Sequence, residues 1–248
     1  MSQSISKPAI QDTASTLAME GERERVRGIY ERSKEAGTPL DFFALYSWQE
    51  RQLHLLKFFR SLGLTSLRDL RILDVGCGAG GTLRRLLDFG AEPENCFGID
   101  LVPKHVEVAR RVHPNFTFVE GSAAHLPFPD EEFDLVHQAT VFTSVLDPKI
   151  EQAIASEILR TLRPGGHMIW YDFAYSNPRN PDVRGIGRNE IRELFPGCQV
   201  EFHRLTLAPP IARPAARVSP LLCRLLWAVP LLRTHYLCFI QKTKSSRA

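Results

Sequence analysis

The residues of this 248-residue chain that could do chemistry crowd first between positions 71 and 100. Arg71-Ile-Leu-Asp-Val-Gly-Cys-Gly-Ala-Gly-Gly81 is a short apolar run that ends in glycines and opens a helix. Gly76, Gly78 and Gly80 let the main chain turn tightly around Cys77 with no Cβ in the way, so a ligand can lie directly on the backbone. Gly76-x-Gly78-x-x-Gly81 alone also matches a dinucleotide-binding fingerprint, a weak signal by itself. Two carboxylates separate the readings. Asp74, at the carboxyl end of the run, can receive a cationic amino group and would repel a pyrophosphate. Asp100, which ends Phe97-Gly-Ile-Asp100, can accept both hydroxyls of a ribose. Asp100 serves either ligand, whereas Asp74 favours S-adenosylmethionine over NAD.

Elements of a particular kind must hold these residues. From Arg71 onward, short apolar runs alternate with amphipathic stretches of helix length, the pattern of βαβ units building a parallel sheet. It predicts strands at 71–75, 96–100, 116–120, 133–138 and 166–172, and helices near 80–89, 103–112 and 148–161, the last announced by Asp147-Pro148. After the polar, proline-stiffened stretch 177–182 come a short helix near 188–195 and two more strands at 198–207 and 234–242. Upstream, Glu20 to Ala36 reads as an exposed helix closed by Gly37. Thr38-Pro39-Leu40-Asp41 then opens a second helix with a broad apolar face, reaching about Leu62.

The motifs Leu73-Asp-Val-Gly-Cys-Gly-Ala-Gly80, Gly98-Ile-Asp100, Gly121-Ser-Ala-Ala-His-Leu-Pro-Phe128, Phe133-Asp-Leu-Val136 and Leu162-Arg-Pro-Gly-Gly166 follow one another in order. Together they resemble a class I S-adenosylmethionine-dependent methyltransferase of the small-molecule, type 11 kind. The resemblance implies an α/β, Rossmann-like seven-stranded sheet of order 3-2-1-4-5-7-6, its last strand antiparallel, beneath an N-terminal helical cap. It implies that Asp74 and the loop Gly76, Cys77, Gly78 and Gly80 hold the methionine moiety and Asp100 the ribose. Leu101 would flank the adenine, Ser122 and Ala123 would meet its edge, and Gln138 and Ala139 would line the methionine side. Relatives usually carry Asp where this chain has Ser122, so a charged acceptor for the adenine amino group is replaced by a hydroxyl. The implied reaction moves a methyl group to an O or N atom of a small or amphiphilic metabolite by in-line displacement, leaving S-adenosylhomocysteine.

Such a displacement needs positioning and desolvation more than a catalytic side chain, and a base only where the acceptor arrives protonated. Asp172, with Tyr171, ends the fifth strand and is a candidate to orient the acceptor or take a proton; the plainer reading is that Asp172 caps the following loop. Candidate acceptor contacts are Tyr30 and Tyr46 from the cap, Phe142, Tyr175 and Arg179, each with ordinary packing or a solvated loop as its alternative. His137 reads as a core histidine, and the other histidines have no assigned role.

Charge is unevenly spread behind the net +3. After Glu201 come eight Lys and Arg and no acid, so the first 201 residues carry −5. The same tail holds the apolar run Val218 to Leu232, broken by Pro220, Arg224 and Pro230 and too short for a membrane span. The expected organisation is a mobile lead-in (1–17), a helical cap (18–66) and the methyltransferase domain (67–248), with 208–233 inserted between strands six and seven. That insertion is either a helix packed on the sheet or a surface for peripheral membrane contact, which would suit a lipid, quinone or glycan acceptor. Nucleic acid is disfavoured, because Gln138-Ala-Thr-Val141 lacks the Asn/Asp-Pro-Pro-aromatic motif of base-amino methyltransferases. A non-catalytic cofactor binder stays open. Five scattered cysteines without metal or redox spacing point to no metal and a reduced, cytoplasmic protein, and no feature sets an oligomeric state.

Overall fold

A computed structural model describes residues 9–32, 42–178 and 180–243, with side chains from Glu20 onward. Its centre is one seven-stranded sheet in the order β3-β2-β1-β4-β5-β7-β6. The strands are β1 (Ile72–Val75), β2 (Cys96–Asp100), β3 (Thr117–Glu120), β4 (Phe133–Ala139), β5 (Leu162–Phe173), β6 (Gln199–Leu207) and β7 (Arg233–Gln241). Strands β1 to β5 pair in parallel. Strand β7 runs antiparallel to both β5 and β6, as the motif resemblance implies.

Period-two alternation of apolar residues explains why the sheet is covered twice. Leu73, Val136, Trp170 and Cys238 point to one face, which packs on α5 (Pro148–Thr161) and α6 (Arg188–Leu194). Ile72, Leu135, Ile169 and Leu237 point to the other, covered by α2 (Phe42–Ser61), α3 (Gly81–Leu86) and α4 (Pro103–Val112). On α2 the ring of Phe58 stacks flat on Phe239 with centroids 3.9 Å apart, anchoring that helix to β7. Asp147 caps α5 by accepting the Lys149 N–H, with Pro148 at the first helical position.

Helix α1 (Ala9–Arg32) begins well before Glu20, so residues 9–17, expected as a mobile lead-in, are helical. Their Ser and Thr content suggested a mobile coil, but Ala, Gln and Leu among them are strong helix formers. Gly37 and Thr38 to Asp41 lie outside the described residues. The insertion folds into two short helices, α7 (Pro209–Val218) and α8 (Pro220–Trp227), separated at Ser219, whose hydroxyl accepts the Leu222 N–H. They make their own small core with Phe42, Phe43 and Tyr46 of α2. No helix among the described residues is long and apolar enough to cross a membrane.

Candidate active site

The carboxyl ends of β1, β2 and β4 open into a cleft that α1 covers. Its floor is the glycine turn after β1. Gly76 and Cys77 donate their N–H groups to the Ile99 carbonyl at 2.8 and 3.0 Å, tying the turn to β2. Gly76 and Gly78 sit at φ +69° and +53°, a region in which L side chains are strained. A Cβ on Gly76 would lie 2.4 Å from Val141, whereas one on Gly78 would meet nothing within 4 Å. Gly76 is therefore required by packing, and Gly78 leaves open space at the cleft.

Asp100 is the polar hub. Its Oδ2 accepts the Gly78 N–H at 2.8 Å, and its Oδ1 accepts the Val102 N–H at 2.9 Å. His105, in the first turns of α4, places Nδ1 3.2 Å from Oδ1. That bond raises the His105 pKa, against the opposing effect of partial burial. A carboxylate offers about four lone-pair sites, and these three contacts leave one on Oδ2.

The remaining walls are Ile99, Leu101 and Val102 at and beyond the end of β2, Gly121, Ser122 and Ala123 after β3, and Ala139, Thr140 and Val141 at and beyond the end of β4. Thr140 is held at φ +59°, an unfavourable conformation for a β-branched residue that marks the cleft edge as strained. From above, α1 supplies Glu22, Arg23, Val26 and Tyr30. Its shortest bonds to the fold below run to the 144–146 turn: the Tyr30 hydroxyl lies 2.8 Å from Ser144 Oγ, Arg25 donates to the Ser144 carbonyl at 2.5 Å, and Glu22 accepts the Leu146 N–H at 2.6 Å. Burial pushes the Tyr30 phenol above its ordinary range. Arg25 holds Glu22 below the usual carboxylate range.

Among the residues expected at this site, Gly76, Gly78, Asp100, Leu101, Ser122, Ala123, Ala139 and Tyr30 line the cleft together. Others do not. Asp74 is 2% exposed and its Oδ1 lies 2.7 Å from Nδ1 of His137, its register partner on β4. Its carboxylate is thus engaged inside the fold, and His137 is the buried histidine the sequence suggested. Cys77 is buried, and burial beside Asp74 and Asp100 pushes its thiol up. Gly80 packs toward Phe118 and His113, and Gln138 is fully buried, accepting the Val141 N–H.

Alternation also withdraws the two candidates at the end of β5. Tyr171 faces the α2 side, where its hydroxyl lies 2.8 Å from Thr206 Oγ1 and the Arg51 guanidinium sits 4.2 Å above its ring. Asp172 faces the other side and is fully buried, accepting from the Thr143 hydroxyl and the N–H groups of Thr143 and Phe173. Burial lifts its pKa to about 7 against those bonds and the Gln138 amide. Neither lines the cleft. Phe142 is core, 4.4 Å from Trp170, and Tyr46 packs 4.6 Å from Trp227 of α8. Tyr175 lines a separate cavity with Arg213 and Arg217, and Arg179 lies outside the described residues.

His105 and Ser144 carried no signal strong enough to be singled out. His105 is five residues beyond Asp100, and only the turn into α4 brings it back.

A family model described as a methyltransferase domain matches residues 72–166, which span the glycine turn, Asp100 and the walls of the cleft from β2 to β4. Residues 72–166 are a methyltransferase domain. The methyltransferase of Mycobacterium leprae named for phthiotriol and phenolphthiotriol dimycocerosates is 33% identical over 61% of this chain and 54% of its own length. A fatty-acid O-methyltransferase of Mycolicibacterium smegmatis is 38% identical over 41% of this chain and 36% of its own. The chain thus spans about half the length of the first of these curated relatives. An S-adenosylmethionine-dependent methyltransferase from Mesorhizobium loti superposes with a TM-score of 0.54 at 19% identity, over 75% of this chain and 96% of that one. The methyltransferase domain therefore has the fold of that cofactor class.

Proposed function

We propose that this methyltransferase transfers a methyl group from S-adenosylmethionine to an oxygen or nitrogen of a small or amphiphilic acceptor, with a lipid as the favoured class. The observation that carries the reading is the cradle formed by Gly78 and Asp100. A Cβ-free turn and a carboxylate with a spare lone pair face one cleft at the carboxyl ends of β1 and β2, where ligands of open α/β sheets bind. These residues fit the cofactor: Asp100 would take the ribose, Leu101 and Ala123 would sandwich the base, and Ser122 would meet its edge. When bound, the sulfonium supplies an activated methyl group and a neutral thioether leaving group.

The protein's contribution is positioning and exclusion of water. Helix α1 roofs the cleft, and Val26, Val141, Val145, Ile150 and Ile154 give it apolar walls suited to an alkyl chain. A carboxylate acceptor arrives ionised and needs no base. Asp172 and Tyr171 act as structural residues in this reading. The lipid names of the curated relatives support an amphiphilic acceptor. Five unpaired cysteines support a reducing, cytoplasmic setting.

The test is incubation with methyl-labelled S-adenosylmethionine and a panel of fatty acids, long-chain alcohols and short water-soluble analogues. Label entering the long-chain acceptors is the expected result. Transfer only to the short analogues would remove the lipid assignment, and failure to bind S-adenosylhomocysteine in calorimetry would remove the cofactor.

A further inference from the structure

The surface of the α7–α8 hairpin is apolar where it should be wet. Val218, Leu221, Leu222, Leu225, Val229 and Leu231 are all exposed, Val218 at 78% and Leu231 at 84%. Helix α8 already has an inward face. Cys223 and Trp227, one turn apart, pack with Ala212 and Ala215 of α7 and with Phe43 and Tyr46 of α2. The leucines therefore form a second apolar face on the opposite side, the kind of exposed cluster that marks an interaction surface.

The charges around it have one sign. Arg213, Arg217 and Arg224 are exposed, with Arg213 over the Phe43 ring and Arg224 over the Tyr46 ring. No acid follows Glu201 in the chain. The neighbouring helix α2 carries one carboxylate, Glu50, which accepts the Thr206 N–H at 2.8 Å, beside the cations Arg51, Lys57 and Arg60. A second copy of this chain seated on the face would set arginine against arginine. Leucines ringed by unneutralised arginines instead match the boundary between acyl chains and anionic headgroups.

We infer that α7 and α8 dock this protein on an anionic lipid leaflet, with Leu221, Leu225 and Leu231 in the acyl boundary and Arg213, Arg217 and Arg224 at the phosphates. This surface is independent of the cofactor cleft, so it is tested without methyl transfer. The full chain is sedimented with vesicles of phosphatidylcholine alone and of phosphatidylcholine mixed with phosphatidylglycerol.

Binding to the mixed vesicles, weakened by salt and much lower on the neutral ones, is expected. Leu221→Glu with Leu225→Glu should lower it by more than about tenfold, with an unchanged Tm and unchanged S-adenosylhomocysteine affinity. Arg213→Gln, Arg217→Gln and Arg224→Gln together should lower it by about fivefold per arginine. The inference fails if the wild type ignores the mixed vesicles or if the glutamate variant sediments as well as the wild type. It also fails if the glutamates merely convert a dimer to a monomer, which would make the face a self-interface.

Discussion

At Asp100 a single carboxylate closes the glycine turn, caps the entry to α4 and faces the cleft, so its two oxygens are already committed to three donors. Replacing it by Asn removes charge-assisted acceptance and places an NH₂ against an N–H. Asp100→Asn should weaken S-adenosylhomocysteine binding by about tenfold to a hundredfold in calorimetry. The competition at Oδ1 gives a pH dependence. His105 holds that oxygen most firmly when protonated, and its pKa is raised in the ligand-free fold. A ribose hydroxyl taking Oδ1 would displace the imidazole, lower that pKa and release a proton. Affinity should therefore rise with pH from about 6 to about 8 and flatten in His105→Gln; an unchanged profile in the variant would exclude His105. Two glycines of the turn should respond differently. Gly76→Ala meets both strain and Val141 and should cost about 1–3 kcal/mol of stability in urea unfolding. Gly78→Ala should cost only about 1 kcal/mol while weakening the cofactor more than Gly76→Ala does.

Among the elements, α1 contributes most beyond the sheet itself. It roofs the cleft, yet polar straps rather than a deep apolar face join it to the 140–146 turn. An element held this way opens more readily than the core. Tyr30→Phe deletes the hydroxyl that meets Ser144, a bond contributing about 1 kcal/mol. Limited trypsin digestion at Arg23 to Arg32 should become about fivefold faster, and bound S-adenosylhomocysteine should slow it in both proteins. Equal digestion rates would show that the hydroxyl does not hold the helix. The insertion behaves differently, because α7 and α8 have an apolar core of their own against α2 and leave a second apolar face unused.

Over the whole molecule, buried carboxylates on the α5 side of the sheet set the pH response of stability. Burial lifts Asp172 to about 7, and lifts Glu151 to about 7 despite its pairing with Arg184. An unfolded Asp titrates near 4, so between about pH 4 and about pH 7 the folded chain holds protons that the unfolded chain has released. Stability contributed by these groups is then present at low pH and lost as pH rises toward neutrality. Asp172→Asn keeps an acceptor for Thr143 and Phe173. It should reduce the change in urea midpoint between about pH 5 and about pH 8; a change as large as the wild type's would show that Asp172 stays ionised throughout.

The strands, the glycine turn, Asp100 and the loops after β2 and β3 were legible in the chain's motifs and two periodicities, because each depends on residues near one another in sequence; the seven-strand order and the reversed β7 were implied only by the resemblance to a methyltransferase family. Gly76 and Gly78 reveal their turn locally, and Asp100 ends its strand visibly. What lies opposite a side chain is another matter. Asp74 meets His137, 63 positions away, only because parallel pairing aligns β1 with β4, and nothing in Leu73-Asp-Val75 encodes that partner. Tyr171 and Asp172 end a strand at the catalytic edge, but the packing of β6 and the Thr143 turn buries both. His105 and Tyr30 reach the cleft through the docking of α4 and α1. A strand's pattern fixes which face a residue takes; long-range packing decides what already occupies that face.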